Sequence, residues 1–125
     1  GMVAIEGPAF NTYTDAEQQL DELTNAISMR GELSGCPLIV LCDSSSFVTE
    51  KLDNFLWTTF TRSNPSHDIY GVNADSTFKH WGCDNLIIDA RTKPHHAPPL
   101  ILDQAVEKRI DPLFAKGGSL SGVLK

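Results

Sequence analysis

Short apolar runs alternate along the chain with stretches that repeat at helical spacing. Val3-Ala4-Ile5 closes at Gly7-Pro8 and predicts a first strand. Thr14-Asp15-Ala16-Glu17 then has the spacing of a capping box, in which hydroxyl and carboxylate each satisfy a free backbone N–H. Ala16, Leu20, Leu23 and Ile27 recur behind it, separated by Gln18, Asp21, Glu22 and Asn25. This predicts a helix with one buried face, ending near Arg30-Gly31. Leu38-Ile39-Val40-Leu41-Cys42 is apolar without interruption, the pattern of a strand covered on both faces. Asp43 and Ser44-Ser45-Ser46 end it. Thr49 is positioned to cap a second helix whose apolar stripe reads Leu52, Phe55, Leu56, Thr59 and Phe60.

Ser63-Asn64-Pro65-Ser66 breaks the chain ahead of two further strand segments, Ile69-Tyr70-Gly71-Val72 and Leu86-Ile87-Ile88, the second closed by Asp89. The stretch Arg91 to Leu100 holds three prolines and two histidines, which excludes regular structure because proline removes backbone donors. Asp103 opens a last helix through Val106 and Ile110. Asp111-Pro112 either kinks that helix or starts a second short one, and Gly117-Gly118 stops it. The tail from Ser119 is assigned no structure. The order of elements predicts a single α/β domain over residues 1–125, three-layer α/β/α. Its sheet is expected to be mostly parallel, or mixed, with four to five strands. The strand order stays open. Gly1, ahead of Met2, reads as a tag remnant.

Composition narrows the function classes. A chain of 125 residues is the size of one domain. Ten basic against 16 acidic side chains leave a net charge of −6, which repels phosphate backbones, so nucleic acid is not an expected partner. No apolar run approaches the roughly 20 residues of a membrane span, and no secretory leader is visible. Cys36, Cys42 and Cys83 form no C-x-x-C pair, so reduced thiols in a cytoplasmic protein are expected, with Cys42 as a small buried hydrophobe.

The middle of the chain resembles the C-terminal domain of UbiD-type decarboxylases, the 3-octaprenyl-4-hydroxybenzoate carboxy-lyase family. The resemblance rests on the strand Leu38 to Asp43, on Trp57-Thr58-Thr59-Phe60-Thr61-Arg62, and on Ser63-Asn64-Pro65-Ser66-His67-Asp68. Lys79-His80-Trp81-Gly82 followed by Ile88-Asp89-Ala90-Arg91 extends it, so that it covers about Pro37 to Pro94. Cys42 stands where the family commonly has an acidic residue, and Arg91 where threonine is common. Full-length members are decarboxylases of aromatic or unsaturated acids that use prenylated FMN with a divalent metal and potassium. Their catalytic arginine and glutamate lie in preceding segments. The resemblance therefore implies a structural, oligomer-forming and gating domain, with no cofactor and no catalytic residue of its own. Its implied partners are the preceding flavin-binding domain and further copies in a homo-oligomer.

Several residues invite local chemistry. Lys79, His80 and Trp81 combine a cation, a titratable ring and a large aromatic, and are candidates for a gate over a substrate pocket. His95 and His96, with Arg91, mark a loop that fits an interface better than a metal site, since adjacent side chains diverge and no further ligand is spaced nearby. Arg62 complements the dipole at a helix C-terminus and is expected to pair with Asp68. Asp43 and Asp68 fall at strand ends, where open α/β sheets hold ligands, but backbone capping accounts for them more simply. Ser44-Ser45-Ser46 lacks a nucleophile elbow and reads as a helix entry. Two rivals to the decarboxylase-domain reading remain: a stand-alone interaction module, and a small α/β enzyme working through Asp43 and Asp68.

Overall fold

The computed structural model describes residues 1–98 and 103–123. Four strands, β1 (Met2–Glu6), β2 (Leu38–Cys42), β3 (Ile69–Val72) and β4 (Asn85–Asp89), form one open sheet in the order β1-β2-β4-β3. β1, β2 and β4 run parallel, while β3 lies antiparallel on β4 at the edge, with Ile69 opposite Ile88. The sheet is thus mixed, and β3 and β4 form a wide hairpin.

Helix α1 (Tyr13–Arg30) covers one face. Its Leu20 and Ile27 pack with Ile39 and Leu41 of β2, Val72 of β3 and Ile87 of β4. The alternate residues of β2, Val40 and Cys42, point to the other face, where they meet Ala90, Val48 of α2 (Ser45–Glu50) and Phe55 of α3 (Leu52–Thr61). The uninterrupted apolar run of β2 follows from this two-sided burial, and the three layers agree with the sequence. Buried Asn85 donates to the carbonyls of Leu33 and Cys36, both at 2.8 Å, and so ties the α1–β2 loop to the start of β4.

Local details depart from expectation at the helix ends. The cap of α1 is Thr12, ahead of the expected Thr14, and its hydroxyl accepts from the Asp15 N–H at 3.1 Å. Gly31 ends the helix at φ 65°, a left-handed conformation open to glycine at little cost. Thr49 caps nothing: it lies inside α2, and its hydroxyl donates to the Ser45 carbonyl. Ser44 is the cap of α2 instead, accepting from the Phe47 N–H. Buried Asn54 joins the two helices by donating to the Phe47 carbonyl at 2.9 Å.

The expected apolar stripe of α3 is split: Phe55 packs on the sheet and Thr59 is buried, while Leu52, Leu56 and Phe60 face outward. Its buried residues are Asn54, Thr58 and Thr59, whereas Leu52, Leu56, Trp57 and Phe60 are exposed. Periodicity finds the stripe but carries no information about which side of the helix meets the sheet. Helix α4 (Gln104–Phe114), capped by Asp103, also has no buried residue. Pro112 sits in its last turn and neither splits the helix nor begins another; Gly117 follows at φ 90°. Part of the proline-rich stretch, Pro99 and Leu100, lies outside the described residues.

Two substitutions probe this core. Leu20→Ala removes a side chain with no exposed surface and is expected to lower unfolding free energy by about 2–5 kcal/mol in a denaturant titration. The Thr59 hydroxyl is buried without a partner among the described residues. Thr59→Val is therefore expected to raise stability by about 1 kcal/mol in the same titration, because it deletes an unsatisfied donor and keeps the shape.

Candidate functional site

The parallel strands converge at their carboxyl ends on a cluster of charges built around the segment that follows β4. Asp89 ends that strand, and Arg91 folds back onto it. The guanidinium takes both carboxylate oxygens, Nε at 2.9 Å and Nη2 at 2.7 Å, a bidentate pair with essentially no exposed surface. The remaining Nη1 donates to the Pro8 carbonyl at 2.9 Å and to Gln19 Oε1 at 2.6 Å. One side chain thereby joins β4, the β1–α1 loop and α1.

Lys93 is buried as completely. Its ammonium donates to three carbonyls, those of Asp89 (2.8 Å), Arg62 (3.0 Å) and Arg91 (3.3 Å), and lies 3.3 Å from Asp68 Oδ2. Asp68 also accepts from the Asn64 N–H at 2.6 Å. Two buried cations thus face two buried carboxylates, and backbone carbonyls and the Gln19 side chain take up further donors. That balance lets charges persist in a place where an unpaired one would be expelled. Phe10 covers the cluster, its ring centre 5.7 Å from the Arg91 guanidinium carbon and 5.5 Å from Lys93 Nζ.

A second, more exposed group lies alongside. Asp43 Oδ2 accepts from Arg62 Nη1 at 2.8 Å, from the Thr92 N–H at 2.9 Å and from the Thr92 hydroxyl at 2.7 Å. Arg62 stacks over Trp57 at 4.9 Å. A cleft of about 330 Å³ opens here between Phe47, Trp57, Thr58 and Arg62. The carboxylate partner of Arg62 is therefore Asp43, and Asp68 pairs with Lys93; the expected Arg62–Asp68 bridge gives way because the buried ammonium claims the buried carboxylate. Asp43 and Asp68 are both held by cations and backbone N–H groups, as the capping reading requires.

Arg91 lies in the loop after β4, but its side chain is wholly interior and takes no part in a surface. Its neighbours His95 and His96 lie in the turn beyond Lys93, their ring centres 4.5 Å apart. His96 Nδ1 accepts from the Lys93 N–H at 3.0 Å, which assigns the proton to Nε2. Burial, His95 and the cations Lys93 and Arg62 hold the His96 pKa below its usual value, with Asp68 opposing. Burial pushes the Cys42 thiol up, so it is a poor nucleophile at neutral pH. Ser44 and Ser45 serve the entry of α2: Glu6 accepts from both the N–H and the hydroxyl of Ser45.

The gate candidates sit elsewhere, in the β3–β4 connection. A 3-10 turn spans Thr77–Lys79, Lys79 has φ 66°, and Lys79, His80 and Trp81 are exposed. The turn rests on Gly71, where an added Cβ would lie 2.8 Å from Trp81 Cζ2 and 2.7 Å from the Cys83 Cβ. Among the described residues no three His, Cys, Asp or Glu side chains converge as a metal cluster. None of the helices described is long and apolar enough to cross a membrane.

Lys93 and Thr92 escaped the sequence reading. The signal was available: Asp89, Arg91 and Lys93 place three charges within five residues directly after the apolar run Leu86-Ile87-Ile88.

Two relatives match most of the chain. It is 25% identical over 91 residues to a 4-hydroxybenzoate decarboxylase subunit of Chlamydia pneumoniae, covering 72% of this chain and 16% of that protein. It is 29% identical over 94 residues to an uncharacterized protein of Chlamydia trachomatis serovar D, covering 74% and 16%. The likeness links the chain, at low identity, to a protein of decarboxylation. The chain spans about one sixth of the length of these relatives. No protein-family model and no solved structure matches it.

Removing one member of the buried cluster strands the others. Lys93→Met is expected to lower stability by about 3–5 kcal/mol, and Asp89→Asn by a similar amount, in chemical denaturation. His96 adds a pH dependence. Its folded pKa lies below the unfolded one, so the unfolded chain binds the proton first and stability falls as pH drops below the unfolded value of about 6.5. Melting temperatures from pH 7.5 to 5.0 are expected to fall less steeply for His96→Gln than for the parent chain.

Proposed function

We propose that this chain acts as the C-terminal domain of a UbiD-type decarboxylase, supporting a flavin-holding neighbour and carrying no chemistry of its own. The observation that carries this reading is the likeness, over nearly three quarters of the chain, to one sixth of a 4-hydroxybenzoate decarboxylase polypeptide. The ordered motifs from Leu38 to Arg91 support it independently. So does the use made of the charged residues, since Arg91, Lys93, Asp68 and Asp89 are spent on holding the fold and offer no free acid or base. Prenylated FMN, a divalent metal and potassium would be held by the neighbouring segments. The exposed turn Lys79-His80-Trp81 is the part of this chain suited to meet them, as a gate at the substrate entrance. Homo-oligomer contacts complete the proposed role.

An interaction module that functions without such a neighbour is the second reading, favoured by the outward apolar face of α3. The paired-aspartate enzyme is not carried forward, because both carboxylates are already engaged.

The purified chain, mixed with prenylated FMN, Mn²⁺, K⁺ and 4-hydroxybenzoate, is expected to give neither saturable flavin binding nor CO₂ release. Turnover by the chain alone would remove the reading. A coding sequence that continues in frame upstream of Val3 supports the domain reading, and one that opens at Met2 supports the module.

A further inference from the structure

At the end of the sheet opposite the charge cluster lies another cavity, of about 340 Å³, between the end of α1, the α1–β2 loop and the start of β4. Ile27, Leu33 and Val72 supply its apolar wall, and Ser28, Asn73, Asp84 and Asn85 its polar one. Asn85 is the informative residue. It is 3% exposed, and its Nδ2 is held by the carbonyls of Leu33 and Cys36, each at 2.8 Å. Turning the amide over would set its oxygen against both carbonyls, so the orientation is determined. Asn85 Oδ1 is then left without a donor among the described residues.

The groups around it are acceptors too. Asn73 Oδ1 accepts from the Ser28 hydroxyl at 2.9 Å and keeps a second lone pair, while Asn73 Nδ2 donates to Asp84 Oδ2 at 2.8 Å. Asp84 Oδ1 has no partner among the described residues. Helix α1 ends beside the cavity at Gly31 and brings the negative end of its dipole there. No lysine, arginine or histidine lines the cavity; Arg30 lies in a separate groove with Ile5 and Glu32.

We propose that this cavity binds a small aliphatic primary amine. Its ammonium group is held by Asn85 Oδ1, Asp84 and Asn73 Oδ1, and its stem lies on Ile27, Leu33 and Val72. An ammonium carries three N–H donors and no acceptor, which complements a wall of acceptors that lacks a donor of its own. A carboxylate or phosphate would meet like charge. A divalent ion gathers several oxygen ligands without an apolar wall, and only one carboxylate stands here. The volume is that of a small-molecule site. The site goes beyond the decarboxylase-domain role and stands or falls without it.

The test is a titration of the nitrogen-15-labelled chain with n-butylammonium chloride, followed by amide NMR at constant ionic strength. The resonances of Asn73, Asp84 and Asn85 are expected to shift saturably, with a dissociation constant on the order of 1 mM for so small a ligand. n-Butanol, potassium chloride and magnesium chloride are expected to leave them in place. Asp84→Asn is expected to weaken binding about tenfold or more, because the contact it removes is charge-assisted. Glu32→Gln deletes the same charge from the neighbouring groove and is expected to change nothing. Shifts that do not saturate overturn the proposal. So does an equal response to n-butanol, which would make the cavity merely apolar, or to potassium or magnesium, which would make it an ion site. Unchanged affinity in a folded Asp84→Asn chain overturns it as well; if that variant unfolds, the contrast between n-butylammonium and n-butanol in the parent chain decides.

Discussion

Four charged side chains, Asp68, Asp89, Arg91 and Lys93, are sealed inside a small domain and must satisfy one another there. Desolvating any of them alone would cost several kcal/mol, so each fixes the position of the next. Arg91 grips Asp89 and reaches the β1–α1 loop and α1. Lys93 reaches the end of α3 and the approach to β3. The sheet brings β1, β2 and β4 side by side, and the charge cluster then fixes how the loops leave them. Phe10 excludes water from above, which strengthens every ion pair beneath it.

This constraint explains why the carboxyl ends of the strands, the usual place for a ligand in an open α/β sheet, hold side chains bonded to their own backbone. Asp43 serves Arg62 and Thr92, and Asp68 serves Lys93 and Asn64. Exposed large apolar side chains lie elsewhere, among them Trp81 after the 3-10 turn, Phe47 and Trp57 on α2 and α3, and Val106, Ile110 and Leu113 on α4.

Layering was legible in the sequence because burial writes itself as hydrophobic continuity. β2 reads as a two-sided strand from five consecutive apolar residues, and α1 as a one-sided helix from Leu20, Leu23 and Ile27. The face of α3 was not legible, since a stripe of Leu52, Leu56 and Phe60 has the same period whether it meets a core or a partner. The cluster was hidden for a different reason. Charged residues ordinarily mark the surface, and only the fold shows that Arg91 and Lys93 are neutralised by Asp89 and Asp68. The antiparallel placement of β3 depends on the long β3–β4 connection, which brings Trp81 and Cys83 back over Gly71, where a larger residue would collide with them.

Arg91 bonds the Pro8 carbonyl, 83 positions earlier in the chain, and Lys93 bonds the Arg62 carbonyl across 31. During synthesis on the ribosome, the segment up to Asp68 therefore emerges with buried-to-be carboxylates and carbonyls whose cations have not yet been made. Such long sequence separations slow closure, since the entropy of each large loop is lost before its contacts form. The cluster can close only once residue 93 has left the exit tunnel. The last strand and the few residues after it act as the latch that completes the domain.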